Sequence, residues 1–391
     1  MSQTASPTAG GSPLAVYVHI PFCLRKCHYC DFFSVLYAPA VADHYLAALH
    51  RELELAAADP RFAGHPVSSV FVGGGTPSVL PPAALARLLE RLARSFSLMS
   101  SVEITLEANP GTVDGPALAD LRAAGYNRLS LGIQSFHDEF LRVLGRIHDR
   151  RTALASVEAA RRAGFANLNL DLMHGLPGQT PDQWAADLDQ AIALAPDHVS
   201  AYGLAVEEAT PFARWAEEGS LPLPDEETAR TMLLMAMDRL PQAGYQHYET
   251  SNYARPGYRC QHNLAYWENR DYLGLGAGAW SHVAGQRWGN LRDLEEYARR
   301  VAADQLPQGE IHHLDARTEL VETVLMGLRL LDGVDQEAFA VRFGRTMNDC
   351  FPGKLEALSR QGLLESDGRR WRLTRTAWPV ANQVWAAFVY P

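Results

Sequence analysis

Short apolar runs alternate with longer amphipathic segments from residue 15 to about residue 205. The runs are rich in Val, Ile and aromatic residues, which favours β-strands, and they lie at 15–20, 69–72, 102–106, 128–133, 168–172 and 198–204. The segments between them repeat apolar residues at helical spacing, and Thr180-Pro181 is typical of a helix start. Parallel neighbours need such crossover segments, so this order predicts an α/β fold with a parallel sheet.

Polar residues and glycines occur at the ends of these runs. In chain order they are Cys23, Cys27 and Cys30, then Gly73-Gly74-Gly75-Thr76-Pro77, Glu107-Ala108-Asn109-Pro110, Gln134-Ser135, and Asp171 before Gly175-Leu176-Pro177-Gly178. The carboxyl ends of parallel strands form one face of an α/β barrel, where active sites lie. We therefore expect these residues to converge in space.

The pattern changes after residue 204. Residues 245–290 are rich in Tyr, Trp, His, Asn and Gly, which predicts strands and loops, and the chain becomes helical again from about Leu314. A turn at Asp367-Gly368 and a last helix suggest a winged-helix-like module. We predict a flexible N-terminal tail at 1–13, a core barrel at 14–245, a segment closing the barrel at 246–310 and a C-terminal domain at 311–391.

Charge and composition exclude several classes of protein. The net charge of −10 over 391 residues argues against a nucleic-acid binder, and no apolar stretch is long enough to predict a membrane span. The opening MSQTASPTAGGSPLA lacks the features of a secretory signal. Three of the five cysteines lie within eight residues, which indicates metal ligation in a reducing compartment, so we expect a cytoplasmic protein.

The clustered cysteines have the spacing C-x3-C-x2-C. Three thiolates on one loop can each reach a different iron of a four-iron, four-sulfur cluster, whereas a fully protein-ligated cluster uses four cysteines. Position 32 is Phe, so the fourth iron is open to the amino and carboxylate groups of S-adenosylmethionine (SAM). A zinc site completed by His28 or a distant residue is the alternative, and the polar residues at the strand ends favour the cluster.

The same residues suit a bound SAM. The glycines after the second run permit close backbone approach to a ligand. Glu107 and Asp171 could accept hydrogen bonds from ribose hydroxyls or the amino group, and Gln134 suits ribose or adenine. Arg146 could pair with the methionyl carboxylate, although residue chemistry alone does not choose Arg146 over Arg142.

These motifs resemble a known family. The segments are Tyr17 with His19-Ile20-Pro21-Phe22-Cys23, the cysteine spacing, Gly73–Pro77, Leu106–Pro110, Leu131–Phe136, and Asp171-Leu172-Met173 through Gly175–Thr180. Over most of its length the chain resembles the oxygen-independent coproporphyrinogen III oxidase group of radical SAM proteins. The resemblance implies a partial (β/α)6 radical SAM barrel with a C-terminal helical domain. It also implies a [4Fe-4S] cluster on Cys23, Cys27 and Cys30, and SAM contacts from Tyr17, Tyr29, Gly74, Gly75, Thr76, Glu107, Gln134, Arg146 and Asp171.

Two features are similar to the HemW-type haem chaperones of this group. The oxidases carry a further cysteine where this chain has Phe32, and His262–Trp267 forms the motif H-N-x-x-Y-W. The similarity implies haem as cargo, haem-accepting proteins, an electron donor and peripheral association with membrane-bound haem proteins. His262, Tyr266 and Trp267 are the candidate haem contacts, with His282 as a weaker second ligand, although such a motif can also simply anchor a loop.

Other interpretations stay open from the sequence. The resemblance also fits an oxygen-independent coproporphyrinogen III oxidase, which decarboxylates propionates oxidatively with SAM, or an enzyme acting on another tetrapyrrole. A non-catalytic zinc scaffold is the remaining alternative. The fold could cleave SAM reductively, but the sequence assigns no catalytic residue.

Overall fold

A computed structural model describes residues 13–389. The flexible tail predicted at 1–13 therefore lies, but for its last residue, outside the described residues. The chain divides into two compact units. The first unit comprises the chain up to Leu131, Arg151–Ala166 and Arg270–His313, and the second comprises Gly132–Arg150, Asn167–Asn269 and the chain from Leu314 onward.

Five of the six predicted apolar runs lie within longer strands, and the run predicted at 198–204 corresponds to a strand, His198–Gly203, that ends one residue earlier. The strands are β1 Leu14–Ile20, β2 Phe22–Cys23, β3 Val35–Leu36, β4 Pro66–Gly74, β5 Ser97–Ala108, β6 Arg128–Gln134, β7 Asn167–His174, β8 His198–Gly203, β9 Gln246–Glu249, β10 Asn252–Ala254, β11 Tyr272–Leu275, β12 Trp280–Val283, β13 Gln286–Gly289, β14 His312–His313, β15 Val334–Asp335, β16 Leu364–Ser366 and β17 Arg370–Leu373.

The helices lie mainly between these strands and near the C-terminus. They are α1 Pro39–Ala58, α2 Pro82–Ser95, α3 Gly115–Ala124, α4 Asp138–Val143, α5 Arg150–Arg162, α6 Pro181–Ala193, α7 Pro211–Glu217, α8 Glu226–Gln242, α9 Gln261–Trp267, α10 Leu294–Ala302, α11 Ala316–Gly327, α12 Gln336–Phe343, α13 Met347–Cys350, α14 Lys354–Arg360 and α15 Ala381–Val389. Short 3-10 helices occur at Pro77–Val79 and Arg375–Val380.

The first unit contains a parallel sheet with an antiparallel extension. Its strand order is β14-β13-β12-β11-β1-β4-β5-β6, and the pairs from β11 to β6 are parallel. The strands β11 to β14 pair antiparallel. All but one residue of β1 is buried, as expected for a parallel strand covered on both faces.

A buried carboxylate joins three parts of the first unit. Glu52 in α1 is 2% exposed. Its Oε2 accepts hydrogen bonds from the Gly276 backbone at 2.7 Å and the Tyr297 hydroxyl at 2.5 Å, and its Oε1 accepts one from Asn290 Nδ2 at 2.6 Å. Burial raises the pKa of Glu52 to about 7, against the opposing effect of these three donors.

The second unit places β7 parallel to β8, followed by antiparallel β10 and β9. Thr180 caps α6 and forms a capping box with Gln183, which confirms the predicted helix start. Trp184 in α6 is buried and donates its indole N–H to the carbonyl of Met232 in α8 at 2.9 Å. These helices cover the strands of their own unit.

The aromatic segment at 245–290 differs in part from the prediction of strands and loops. Residues Gln261–Trp267 form helix α9. Its buried residues, His262 and Ala265, are three apart and share one helical face. The segment is too short and too rich in aromatic residues for this spacing to stand out in the sequence.

The C-terminal part of the second unit combines helices with a small sheet of order β15-β17-β16. The β16–β17 hairpin turns at Asp367 and Gly368, where Gly368 has a φ of +86° and Asp367 Oδ1 accepts the backbone N–H groups of Arg369 and Arg370. Helix α14, this hairpin and α15 follow one another in the order predicted for the winged-helix-like module. Within residues 13–389, the helices are too short or too polar to cross a bilayer.

Candidate functional site

The three clustered cysteines lie on one loop that follows β1. The pairing of Cys23 in β2 with Leu36 in β3 closes this cysteine loop (residues 23–36). Cys30 donates its backbone N–H to the carbonyl of Cys27 at 3.3 Å. All three thiols are half-buried and form no disulfide, so one short segment presents three thiols together.

The thiol of Cys30 holds its proton at neutral pH. Burial raises its pKa to about 11, the Phe32 backbone N–H acts in the opposite direction, and the neighbouring Cys27 and Cys23 raise it further. Because only the thiolate is a metal ligand, a bound metal displaces this proton. Ligand binding at this loop therefore releases protons.

A single metal ion needs at least three ligands that converge on one point. In the part of the chain from residue 13 to residue 389, no three His, Cys, Asp or Glu side chains are arranged in this way. A cubane cluster makes no such demand, because each thiolate binds a different iron. The donor set of three thiols on one loop fits a cluster of this kind.

The segment Gly73–Thr76 (the glycine loop) spans the end of β4 and the residues after it, and it is bonded to Cys23 and to the residues just before the cysteine loop. Gly75 donates its N–H to the Ile20 carbonyl at 2.9 Å, and Thr76 donates its own to the Phe22 carbonyl at 2.8 Å. Thr76 Oγ1 lies 3.6 Å from Cys23 Sγ. A Cβ at Gly75 would lie 2.7 Å from the Phe22 carbonyl oxygen and 3.0 Å from Cys23 Sγ, so only glycine fits this cradle.

Glu107, at the end of β5, faces the same glycine loop. Its Oε2 accepts the backbone N–H of Gly74 at 3.1 Å, and a Cβ at Gly73 would lie 2.8 Å from that oxygen. Asn109 donates its Nδ2–H to Thr76 Oγ1 at 2.8 Å. The first unit thus brings Glu107, the glycine loop and the cysteines together.

Tyr17 is positioned by a neighbouring histidine. His19 Nε2 lies 2.9 Å from the Phe33 carbonyl oxygen, and His19 Nδ1 lies 3.0 Å from the Tyr17 hydroxyl. Burial lowers the pKa of His19, so the ring is neutral, donates from Nε2 and accepts from Tyr17 at Nδ1. Tyr29 is half-buried within the cysteine loop.

Gln134 ends β6 in a strained conformation. Its φ of +71° lies in the left-handed region, which costs a residue with a side chain roughly 1–2 kcal/mol, and such strain is concentrated at functional sites. Gln134 is 5% exposed. Tyr202 in β8 donates its hydroxyl to Gln134 Oε1 at 2.8 Å and holds the amide in place.

The structure separates the two candidate arginines. Arg146 is half-buried and donates from Nη2 to the Gly132 carbonyl in β6 at 2.6 Å. Arg142 is exposed and donates to the Asp138 carbonyl in its own helix. Arg146 therefore lies beside the strand that ends in Gln134, whereas Arg142 lies on the surface.

Asp171 lies within β7, three residues before the strand ends at His174. Its Oδ1 accepts a hydrogen bond from Asn169 Nδ2 at 2.7 Å. Residues two apart in a strand share one face of the sheet, so the half-buried Asp171 faces the same way as Asn169.

The H-N-x-x-Y-W motif forms α9. His262 is 1% exposed, and its Nε2 lies 2.9 Å from the Tyr266 hydroxyl. Trp267 is half-buried, and the Arg329 guanidinium lies 5.2 Å from its ring centroid. For haem ligation through Nε2, His262 would have to exchange its bond to Tyr266 for a bond to iron.

His282, the second candidate haem ligand, and His312 and His313 lie in the first unit. His282 is buried in β12, whereas His312 and His313 in β14 are exposed. Sequence reasoning did not give functional weight to His19, Asn169 or Tyr202, which position Tyr17, Asp171 and Gln134. Strand alternation is the one signal that could have found Asn169, since it lies two residues before Asp171.

Comparisons with known proteins agree with these motifs. The radical SAM superfamily matches residues 17–191, and the HemN C-terminal domain matches residues 314–380. A protein of Bacillus subtilis named heme chaperone HemW is 36% identical to this chain. The alignment covers 96% of this chain and 99% of the Bacillus subtilis protein. Proteins of the same name from Mycobacterium tuberculosis and Escherichia coli are 39% and 38% identical over 93% of the chain, and over 92% and 94% of their own length.

A solved structure of Escherichia coli coproporphyrinogen III oxidase (HemN), described as a radical SAM enzyme, is 29% identical. It superimposes with a TM-score of 0.83 over 96% of this chain and 90% of that chain. The predicted fold class, a partial (β/α)6 radical SAM barrel with a C-terminal helical, winged-helix-like domain, is confirmed. The superfamily implies a [4Fe-4S] cluster and SAM. From these relatives, the chain belongs to the HemW family of radical SAM proteins.

Proposed function

We propose that this protein is a haem chaperone that binds haem and transfers it to acceptor proteins. The supporting observation is similarity over almost the whole chain to proteins named heme chaperone HemW. Helix α9 carries an imidazole, a phenol and an indole within seven residues. Imidazole is a common haem ligand, and the aromatic rings supply an apolar surface for a porphyrin.

We further propose that Cys23, Cys27 and Cys30 hold the cluster. The SAM contacts that we propose are Tyr17, Tyr29, Gly74, Gly75, Thr76, Glu107, Gln134, Arg146 and Asp171. When bound and reduced, the cluster could supply an electron to the SAM sulfonium. The glycine loop would give SAM close access to the backbone, Arg146 would neutralise its carboxylate, and Gln134 and Asp171 would orient its ribose and adenine.

Phe32 favours a chaperone over an oxidase. Its side chain is 61% exposed, where the resemblance places a further cysteine in the oxidases. The fold that this chain shares with HemN does not decide between the two activities, since function depends on the site and not on the fold.

Partners, location and domain limits extend the proposal. We propose haem-accepting proteins and an electron donor as partners, with peripheral association with membrane-bound haem proteins. The clustered thiols suit the reducing cytoplasm. We also propose a radical SAM core barrel at 14–245, a closing segment at 246–310 and a C-terminal domain at 311–391, and the match at 314–380 supports the last.

The first test is titration of anaerobically reconstituted protein with haem, followed through the Soret band. We expect saturable binding that His262→Ala weakens at least about tenfold, because each loss of about 1.4 kcal/mol is a factor of ten in affinity. His312→Ala is the matched control, since His312 is exposed in β14. Absence of a haem-induced spectral change would contradict the proposal.

Transfer is measured separately, with apomyoglobin as the acceptor probe. A rate that rises with apomyoglobin concentration indicates direct transfer, whereas a constant rate indicates release into solution and contradicts chaperoning. Parallel assays with coproporphyrinogen III, SAM and dithionite should give no vinyl product. Vinyl product in these assays would favour the oxidase.

A further inference from the structure

Five polar groups in the second unit form a continuous hydrogen-bonded chain. The Cys260 backbone N–H lies 3.2 Å from Tyr248 Oη, which lies 2.8 Å from His198 Nε2. His198 Nδ1 lies 2.6 Å from Asn169 Oδ1, and Asn169 Nδ2 lies 2.7 Å from Asp171 Oδ1. We call these five residues the relay.

Every hydrogen bond of the relay is donated in the same direction, from Cys260 towards Asp171. The Cys260 N–H can only donate, so Tyr248 accepts it and has its own proton available for His198 Nε2. Neutral His198 then carries its proton on Nδ1 and donates to Asn169 Oδ1. The Nδ2–H group of the same Asn169 side chain donates to the Asp171 carboxylate, and a carboxylate can only accept. One tautomer of His198 satisfies every bond.

The relay is shielded from water. Cys260 and His198 are 0% exposed, Tyr248 is 1% and Asn169 is 2% exposed. Asn169 faces His198 across the β7–β8 ladder, which fixes their separation through the backbone. Hydrogen bonds polarise one another in such a dry chain, and a buried group that loses its partner cannot replace it with water.

The two ends of the relay reach the two proposed binding sites. Asp171 is half-buried and is a proposed SAM contact. Cys260 is the N-cap of α9, the helix that carries His262 and Tyr266. A SAM hydroxyl that donates to the Asp171 carboxylate withdraws charge from the group that Asn169 binds, and the polarised chain carries this change to the first turn of α9.

We propose that the relay makes haem affinity at α9 depend on SAM occupancy at Asp171, with Tyr248 and His198 as positioning residues. The inference rests on the proposed function. Coupling between two binding sites is reciprocal, so haem changes the SAM affinity by the same factor. The relay is the physical connection, because its members lie on β7, β8, β9 and the N-terminus of α9.

The test measures haem dissociation constants with and without saturating SAM, without reductant so that SAM is not consumed. We expect the two constants of the wild type to differ by about fivefold or more, the lower range of measured allosteric couplings. In Tyr248→Phe, which keeps the ring and removes the hydroxyl, the ratio should return to one. Tyr245→Phe is the matched control, because this buried tyrosine donates to the Pro196 carbonyl outside the relay.

A ratio of one in the wild type overturns the proposal, as does an unchanged ratio in Tyr248→Phe. If the wild type binds no haem at all, the proposed function fails, whereas haem binding that ignores SAM refutes the relay alone. A second measurement needs no cofactor. The nitrogen NMR signals of His198, assigned by comparison with His198→Gln, should report a neutral ring protonated on Nδ1, and a ring protonated on Nε2 alone would refute the relay.

Discussion

Glu107 accepts a hydrogen bond from the Gly74 backbone N–H at 3.1 Å, and this bond joins the end of β5 to the glycine loop. The same loop contacts the thiols, since Thr76 Oγ1 lies 3.6 Å from Cys23 Sγ. The carboxylate, the glycine loop and the cysteine loop are therefore one connected group. A disturbance in the glycine loop should reach the cysteines.

Gly75→Ala is expected to impair cluster assembly. The added Cβ would lie 2.7 Å from the Phe22 carbonyl oxygen and 3.0 Å from Cys23 Sγ. The carbonyl oxygen belongs to the backbone and has no side-chain rotation to relieve the clash, so the chain at Phe22 and Cys23 has to shift, at a cost of about 1–3 kcal/mol for overpacking. We expect less iron and sulfide per chain after anaerobic reconstitution.

Gly115→Ala is the control for this substitution. A Cβ at Gly115, in the first turn of α3, meets no atom within 4 Å, so this variant should assemble a full cluster. Full iron and sulfide in Gly75→Ala would show that the glycine loop does not constrain the thiols. Cys350→Ala should also keep its cluster, whereas alanine at Cys23, Cys27 or Cys30 should lose it.

Arg146→Gln is expected to weaken SAM binding, while Arg142→Gln is not. Arg146 is fixed to the Gly132 carbonyl beside Gln134, and a charge-assisted bond contributes about 1.5–3 kcal/mol. We therefore expect roughly a ten- to hundredfold rise in the SAM dissociation constant, measured calorimetrically with an oxidised cluster. Equal effects in the two variants would contradict the proposal that Arg146 binds the SAM carboxylate.

The sequence could predict the strands because both kinds of strand pattern are present. Val70–Val72 is continuously apolar, whereas the runs near Leu131 and Leu170 alternate apolar residues with polar residues or glycine. The candidate site residues after these runs could be identified because they interrupt the strand pattern. Helix α9 was not recognised, because a seven-residue helix contains too few turns for its period to be read.

The side-chain contacts could not be predicted in this way. Asn169 meets His198 only because β7 and β8 pair in one register, and a shift of one residue would turn both to the other face. This contact depends on residues distant in the chain. The contact of His262 with Tyr266 is local, but it requires residues 261–267 to be helical, and that helix was not predicted.

The stability of the first unit is expected to change with pH through Glu52. Burial raises the pKa of this carboxyl to about 7 from 4.5. Between these pH values the folded protein holds a proton that the unfolded chain releases. The stabilisation is therefore complete below pH 4.5 and is lost as pH rises through 7, by about 3 kcal/mol in all.

Urea unfolding of the wild type and Glu52→Gln at several pH values tests this expectation. Glutamine does not titrate, so the stability of the wild type relative to this variant should fall between pH 5 and pH 8. Glu54→Gln is the control, because Glu54 is an exposed ion-pair residue two positions further along the same helix. A difference between wild type and Glu52→Gln that is independent of pH would mean that Glu52 is ionised throughout.

Two buried histidines of the second unit should respond oppositely to replacement by leucine. Both ring nitrogens of His198 are hydrogen-bonded, whereas neither nitrogen of His174 has a protein partner within the described residues 13–389. A buried polar group without a partner costs about 1–3 kcal/mol. We expect His174→Leu to stabilise the protein at pH 7 and His198→Leu to destabilise it by about 1–3 kcal/mol, since Asn169 and Tyr248 then each lose one of their hydrogen bonds.

The pH dependence of His174→Leu provides an independent check. Burial lowers the pKa of His174 to about 4 from 6.5, so the unfolded chain takes up a proton that the folded protein refuses. The wild type should lose about 3 kcal/mol relative to His174→Leu as pH falls from 6.5 to 4, the opposite direction to Glu52. If His174→Leu is instead less stable at pH 7 and the deficit does not shrink in acid, the imidazole has a bonding partner that its position beside Trp184 and Gly203 does not reveal.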